Sequence, residues 1–145
     1  MTRRRLGALL LLFPAISLAE TRDAPPSLDV NASCERKATK GRVLCDVELE
    51  AASSRIAWAD VVVTSAPAFA PPLRSRIGMA DARARSDRRV RLPVALVATS
   101  LGRGTVAMRA RAVLCSAAAA GAVETCLPAV KDVSAEIIVG TDVEH

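Results

Sequence analysis

The residues of this chain best suited to chemistry are its four cysteines. Cys34 and Cys45 have ten residues between them, and so do Cys115 and Cys126. In an exported protein four cysteines indicate two disulfides, with three possible connectivities. Local pairing, Cys34 with Cys45 and Cys115 with Cys126, is the favoured reading. A hairpin turning about Thr39-Lys40 sets the first two opposite each other, and closing a loop of this size is worth about 3 kcal/mol. The pairs differ in their expected surroundings. Cys34 and Cys45 alternate in phase with apolar residues, whereas Cys115 is in phase with Arg109, Arg111 and Val113, on the face away from Val106, Met108 and Leu114. Cys115 is therefore expected at the surface, with Arg89 across from it if the strands on either side of Gly102 pair. A cation beside a cysteine stabilises its thiolate, so Cys115 and Cys126 are the candidates for thiol-disulfide exchange. The alternative is a plain structural staple.

Arginine supplies a second candidate surface. Arg74 and Arg76, Arg83 and Arg85, Arg89 and Arg91, and Arg109 and Arg111 are each two apart, a spacing that puts both members on one face of a strand. The stretch from Arg74 to Arg91 has the chemistry of a polyanion-binding stripe, for lipid headgroup phosphate or envelope polysaccharide. It equally suits a solvated face that guards a sheet against edge pairing.

Composition removes other classes. The 145 residues include one histidine, His145, so a histidine-based triad or a multi-histidine zinc site has no material. No glycine-rich phosphate loop is present. Beyond the leader only Trp58 and Phe69 are aromatic, too few to stack the bases of a single-stranded nucleic acid. Neither a cofactor nor a metal is expected, nor a nucleic-acid partner. An envelope protein or an anionic surface is the expected class of partner.

These residues must be held by elements that begin after a leader. Thr2-Arg3-Arg4-Arg5, the apolar run Leu6–Leu18 and Ser17-Leu18-Ala19 before Glu20 read as a cleavable signal helix over 1–19, too short for a membrane span. The mature product is expected to be periplasmic or secreted, with no transmembrane segment after processing. The 20 basic and 15 acidic residues become 17 and 15 once Arg3, Arg4 and Arg5 depart. Residues 20–27 form a flexible lead-in, 28–140 a single domain and 141–145 a polar tail.

Period-two alternation predicts strands from Leu28 to Cys34, Val43 to Leu49, Val90 to Ala98, Val106 to Leu114 and Val133 to Val139. The run Arg55–Thr64 is nearly continuous in apolar residues and predicts a central strand covered on both faces, with Asp60 as a buried charge paired to an arginine. Residues 65–88 break up into Pro, Ala and Arg, with a short edge strand around Leu73–Ile77. Residues 117–120, four alanines, are read as a loop. The strands on either side of Gly102 are expected to be joined tightly. Together these elements predict an all-β chain, an immunoglobulin-like antiparallel β-sandwich of six to seven strands.

The order Cys45, Trp58, Cys115 resembles the Cys, Trp, Cys arrangement of immunoglobulin domains, which implies the rival connectivity Cys45 to Cys115 and Cys34 to Cys126. Val113 stands where that pattern has its corner tyrosine. The segment Thr105 to Val139, with alternation into Cys115 and then Cys126-Leu127-Pro128, resembles the amino-terminal periplasmic domain of membrane thiol:disulfide interchange reductases. That resemblance implies an immunoglobulin-like fold and electron relay through Cys115 and Cys126. The reading is an exported, disulfide-stapled, non-catalytic binding or structural module of a bacterial envelope, with thiol-disulfide exchange and polyanion binding as alternatives.

Overall fold

Alternating burial along each strand builds the molecule. In the strand Gly41–Ala51 (β2), Val43, Cys45, Val47 and Leu49 are fully buried while their neighbours face outward; in Arg89–Ala98 (β6), Val90, Leu92, Val94 and Leu96 do the same. The computed structural model describes residues 26–116, 121 and 123–141. The expected signal helix, most of the lead-in, the alanine run and nearly all of the tail lie outside the described residues. Besides β2 and β6 the strands are Leu28–Cys34 (β1), Arg55–Ser65 (β3), Arg76–Gly78 (β4), Ala84–Arg85 (β5), Gly102–Ser116 (β7) and Thr125–Val139 (β8), with one 3-10 turn at Met79–Asp81. Among the described residues no helix is long and apolar enough to cross a membrane.

Among the described residues the pairings between these strands are antiparallel and form two four-stranded sheets, β1-β2-β6-β5 and β4-β3-β7-β8. Their inner faces enclose one apolar core to which β2, β3, β6 and β7 contribute most of the fully buried side chains. The expected all-β sandwich is thus present, with eight strands among the described residues where six to seven are expected; β4 overlaps the edge strand expected around Leu73–Ile77, and the short β5 is the addition. The final strand begins at Thr125, earlier than its alternation suggests, because it pairs with β7 along its whole length.

Two expectations are corrected. β6 and β7 are each well marked by alternation, but they do not pair: the Thr99–Leu101 connection carries the chain from the first sheet to the second. Alternation reports which face of a strand is buried and says nothing of its lateral neighbour. Nor is β3 covered on both faces. Its register with β7 slips between Ile56 and Trp58, so the inward set shifts from Ile56 to Ala59 and Val61, and Trp58 is 38% exposed. A bulge places apolar residues of both parities in sequence without a second apolar layer.

Glycine matters where chains approach closely. A Cβ on Gly104 would stand 2.9 Å from the Pro67 side chain, so the segment leaving β3 can lie against β7 only because side chains are absent there.

Candidate functional site

Both disulfides are local. Cys34–Cys45 joins β1 to β2 and Cys115–Cys126 joins β7 to β8, in each case between residues directly opposite in the ladder. Their Cα separations are 3.9 and 4.0 Å, closer than the roughly 4.5 Å typical of a non-hydrogen-bonded antiparallel pair. The turn about Thr39-Lys40 has the expected register. The rival Cys45–Cys115 bridge is overturned, although those residues do lie on facing sheets.

The two bridges sit at opposite ends of the sandwich. The β1–β2 turn lies beside the end of β8, where the Lys37 amide donates to the Ile138 carbonyl at 3.1 Å and the Gly140 amide donates to the Lys37 carbonyl at 2.7 Å. The β7–β8 bridge lies where β8 begins, beside Ser54, Asp87 and Arg88.

Cys115 is outward by parity, as the sequence predicts, yet it is only 1% exposed and stands apart from the apolar core cluster. The expected surface position is therefore corrected. Arg55 of β3 and Cys126 of β8 flank it in the ladder, and Arg55 Nη2 meets Glu124 Oε1 at 3.0 Å. The two sulfurs and a Glu124 carboxylate oxygen lie within 4.8 Å of one another. Each sulfur's bonding is occupied by the other, so this group is a disulfide beside a carboxylate. Cys126 is exposed. Arg89, expected opposite Cys115, instead pairs in register with Glu50 on the other sheet and contacts its carboxylate at 2.9 Å. The cation across from Cys115 is Arg55, a residue that sequence reasoning missed because it required the β3–β7 register.

The arginines of the expected polyanion stripe are distributed over both sheets. Arg76 lies on β4, in the second sheet, whereas Arg83, Arg85, Arg89 and Arg91 belong to the edge of the first. Carboxylates meet most of them: Arg74 with Asp81 at 2.9 Å, Arg76 with Asp60 at 2.7 Å, Arg83 with Asp46 at 3.6 Å, Arg89 with Glu50 and Arg91 with Glu48 at 3.1 Å. Among the described residues Arg85 alone of the six has no ion pair. The period-two carboxylates Asp46, Glu48 and Glu50 on β2 are the partners that turn this part of the stripe into a charge lattice.

Asp60 is the anomaly the sequence flagged, and it is fully buried. It faces outward from β3, where the Arg111 guanidinium donates to both its oxygens and Arg76 Nε donates to Oδ2. Arg111 also lies over the Trp58 ring, 5.8 Å from its centroid. Burial pushes the Asp60 carboxyl up, but the hydrogen bonds from Arg111 and Arg76 outweigh it and hold the group below its ordinary value. Asp60 is thus a structural ion-pair hub.

The chain matches no family model, no curated protein and no solved structure.

A groove of about 370 Å³ lies on the outer face of the first sheet. Leu44 and Ala95, opposite each other in the β2–β6 ladder, and Pro93 form its floor. The alternation that sends Val43, Cys45, Val94 and Leu96 inward sends these residues outward. Sequence reasoning missed it because its walls come from the irregular segment 65–88.

Proposed function

We propose that this chain is an exported, disulfide-stapled β-sandwich of immunoglobulin-like type that works as a non-catalytic binding or structural module of a bacterial envelope. The observation that carries this reading is the pair of cross-strand disulfides, one closing each of two hairpins at opposite ends of the sandwich. Bridges of this kind belong to oxidising compartments and stiffen a small domain without taking part in turnover. The immunoglobulin-like reading is supported by strand order. With the strands lettered in sequence, and β4 as C′, the sheets run A-B-E-D and C′-C-F-G. Mass-spectrometric disulfide mapping of the mature chain across a graded glutathione series tests the reading. Both bridges should stay closed while the domain is folded.

A second reading is favoured by one observation: Cys126 is exposed, and its bridge lies outside the apolar core with Arg55 beside it. Thiol-disulfide exchange would then start with an incoming thiolate attacking Cys126 Sγ. A mixed disulfide would form as the Cys115 thiolate leaves toward Arg55. Selective opening of Cys115–Cys126 in a folded domain, with Cys34–Cys45 intact, would make this reading the stronger one.

A further inference from the structure

We propose that the groove on the outer face of the first sheet is a binding site for a small amphipathic anion, with its phosphate or carboxylate head on Arg42 and Arg83 and its apolar tail on Leu44 and Ala95. The assignment rests on the binding-module reading above and gives that module a ligand class.

The groove exists because the edge of β6 is interrupted. The segment before β4 lies along that edge, with the Leu73 amide donating to the Ala95 carbonyl at 2.9 Å and the Val97 amide to the Pro71 carbonyl at 2.9 Å. The chain then leaves to form β4 and the 3-10 turn. It rejoins the same edge where the Arg83 amide donates to the Arg91 carbonyl at 2.9 Å. Between these contacts the β6 residue is Pro93, which has no N–H, so the gap leaves no donor unsatisfied there. Its walls are Leu73, 57% exposed, and Ile77, which is buried.

Charge is then distributed unevenly around this apolar floor. Arg42, Arg74 and Arg83 all border the groove, and Asp81 is the only carboxylate that does. Arg74 is neutralised by Asp81 at 2.9 Å. Arg42 has no ion pair among the described residues. Arg83 Nη1 approaches Asp46 Oδ1 only to 3.6 Å, and that oxygen is buried with no hydrogen-bond partner. Arg42 and Arg83 therefore border one groove with no side-chain hydrogen bond to a carboxylate among the described residues, a setting that favours an anion. The volume lies near the lower end of the roughly 300–1,000 Å³ of small-molecule sites, which selects a short chain.

Octyl phosphate, used as a monomer, is the probe. Titration calorimetry or ligand-observed NMR should show binding at least tenfold tighter than for octyl glucoside, octyltrimethylammonium or inorganic phosphate. The double variant R42A/R83A should lose at least tenfold in affinity, and Leu73→Ser, at an exposed site, should weaken binding severalfold. Arg103→Ala on the other sheet should leave it unchanged. Equal binding of octyl phosphate and octyl glucoside, no binding at all, or indifference to R42A/R83A in a folded variant would each overturn the assignment. So would capture by anionic lipid vesicles without binding of the monomer. If the groove stays empty while both disulfides resist the glutathione series, this inference fails and the module reading stands. Selective opening of Cys115–Cys126 would remove the module reading whatever the groove binds.

Discussion

The β1–β2 and β7–β8 hairpins carry the same device, a bridge between directly opposite residues with ten residues between them, yet they set it on opposite faces of their sheets. Cys45 is fully buried in the apolar core between Val43 and Val47. Cys115 is equally hidden, but it lies on the outer face in a row with Arg55 and beside Glu124. The first sulfur is packed among apolar core side chains, whereas the second stands beside polar groups, a cover that local opening removes at less cost. Burial of equal extent therefore protects unequally, because what covers the sulfur decides how easily it is uncovered.

The largest test of this contrast is to remove each bridge in turn. The C34S/C45S variant should lose about 3–5 kcal/mol in denaturant unfolding, because a hydroxyl also enters the core at position 45 without a partner. The C115S/C126S variant should lose about 2–3 kcal/mol, since its hydroxyls lie near polar groups. Equal losses would erase the distinction.

Asp60 sharpens the comparison on the same outer face as Cys115. Asp60→Asn leaves Arg76 and Arg111 without their shared carboxylate and should cost about 1–3 kcal/mol at neutral pH. Because the carboxyl is held below its ordinary value, its contribution is present above the unfolded pKa of about 3.9 and is lost as pH falls through the folded value. Thermal melts of the wild type should therefore fall below about pH 4, and those of Asp60→Asn should fall less over that interval. Parallel curves would show that Asp60 carries no such linkage.

Glu124→Gln should have the smallest effect on stability, at most about 0.5 kcal/mol, as its partner Arg55 is exposed. Its value lies in kinetics. Removing the carboxylate that stands beside both sulfurs should speed attack by an anionic thiolate on Cys115–Cys126 severalfold, read by timed alkylation, and leave Cys34–Cys45 untouched. An unchanged rate would mean that the polar cover is no barrier.

Much of this was legible in residue order. Alternation marks β1, β2, β6, β7 and the later part of β8. Equal cysteine spacing and the Thr39-Lys40 turn point to local bridges, and an aspartate inside the apolar run of β3 points to a paired charge. The β3 bulge was not legible, because a register slip and a doubly covered strand give the same continuous run of apolar residues. The groove was not legible either, for its floor is the polar-phase side of two regular strands while its walls come from segments without periodicity.

By itself the sequence determined which face of β1, β2, β6, β7 and the later part of β8 turns inward and which cysteines can meet across a hairpin, since both depend on contacts a few residues apart along the chain. Only the tertiary structure decided that β6 and β7 belong to different sheets and that Arg55 stands beside Cys115. It alone brought Arg42 and Arg83 to the border of one groove. Those outcomes depend on lateral strand order and on what packs over an outward face, and the period of a strand carries no information about either.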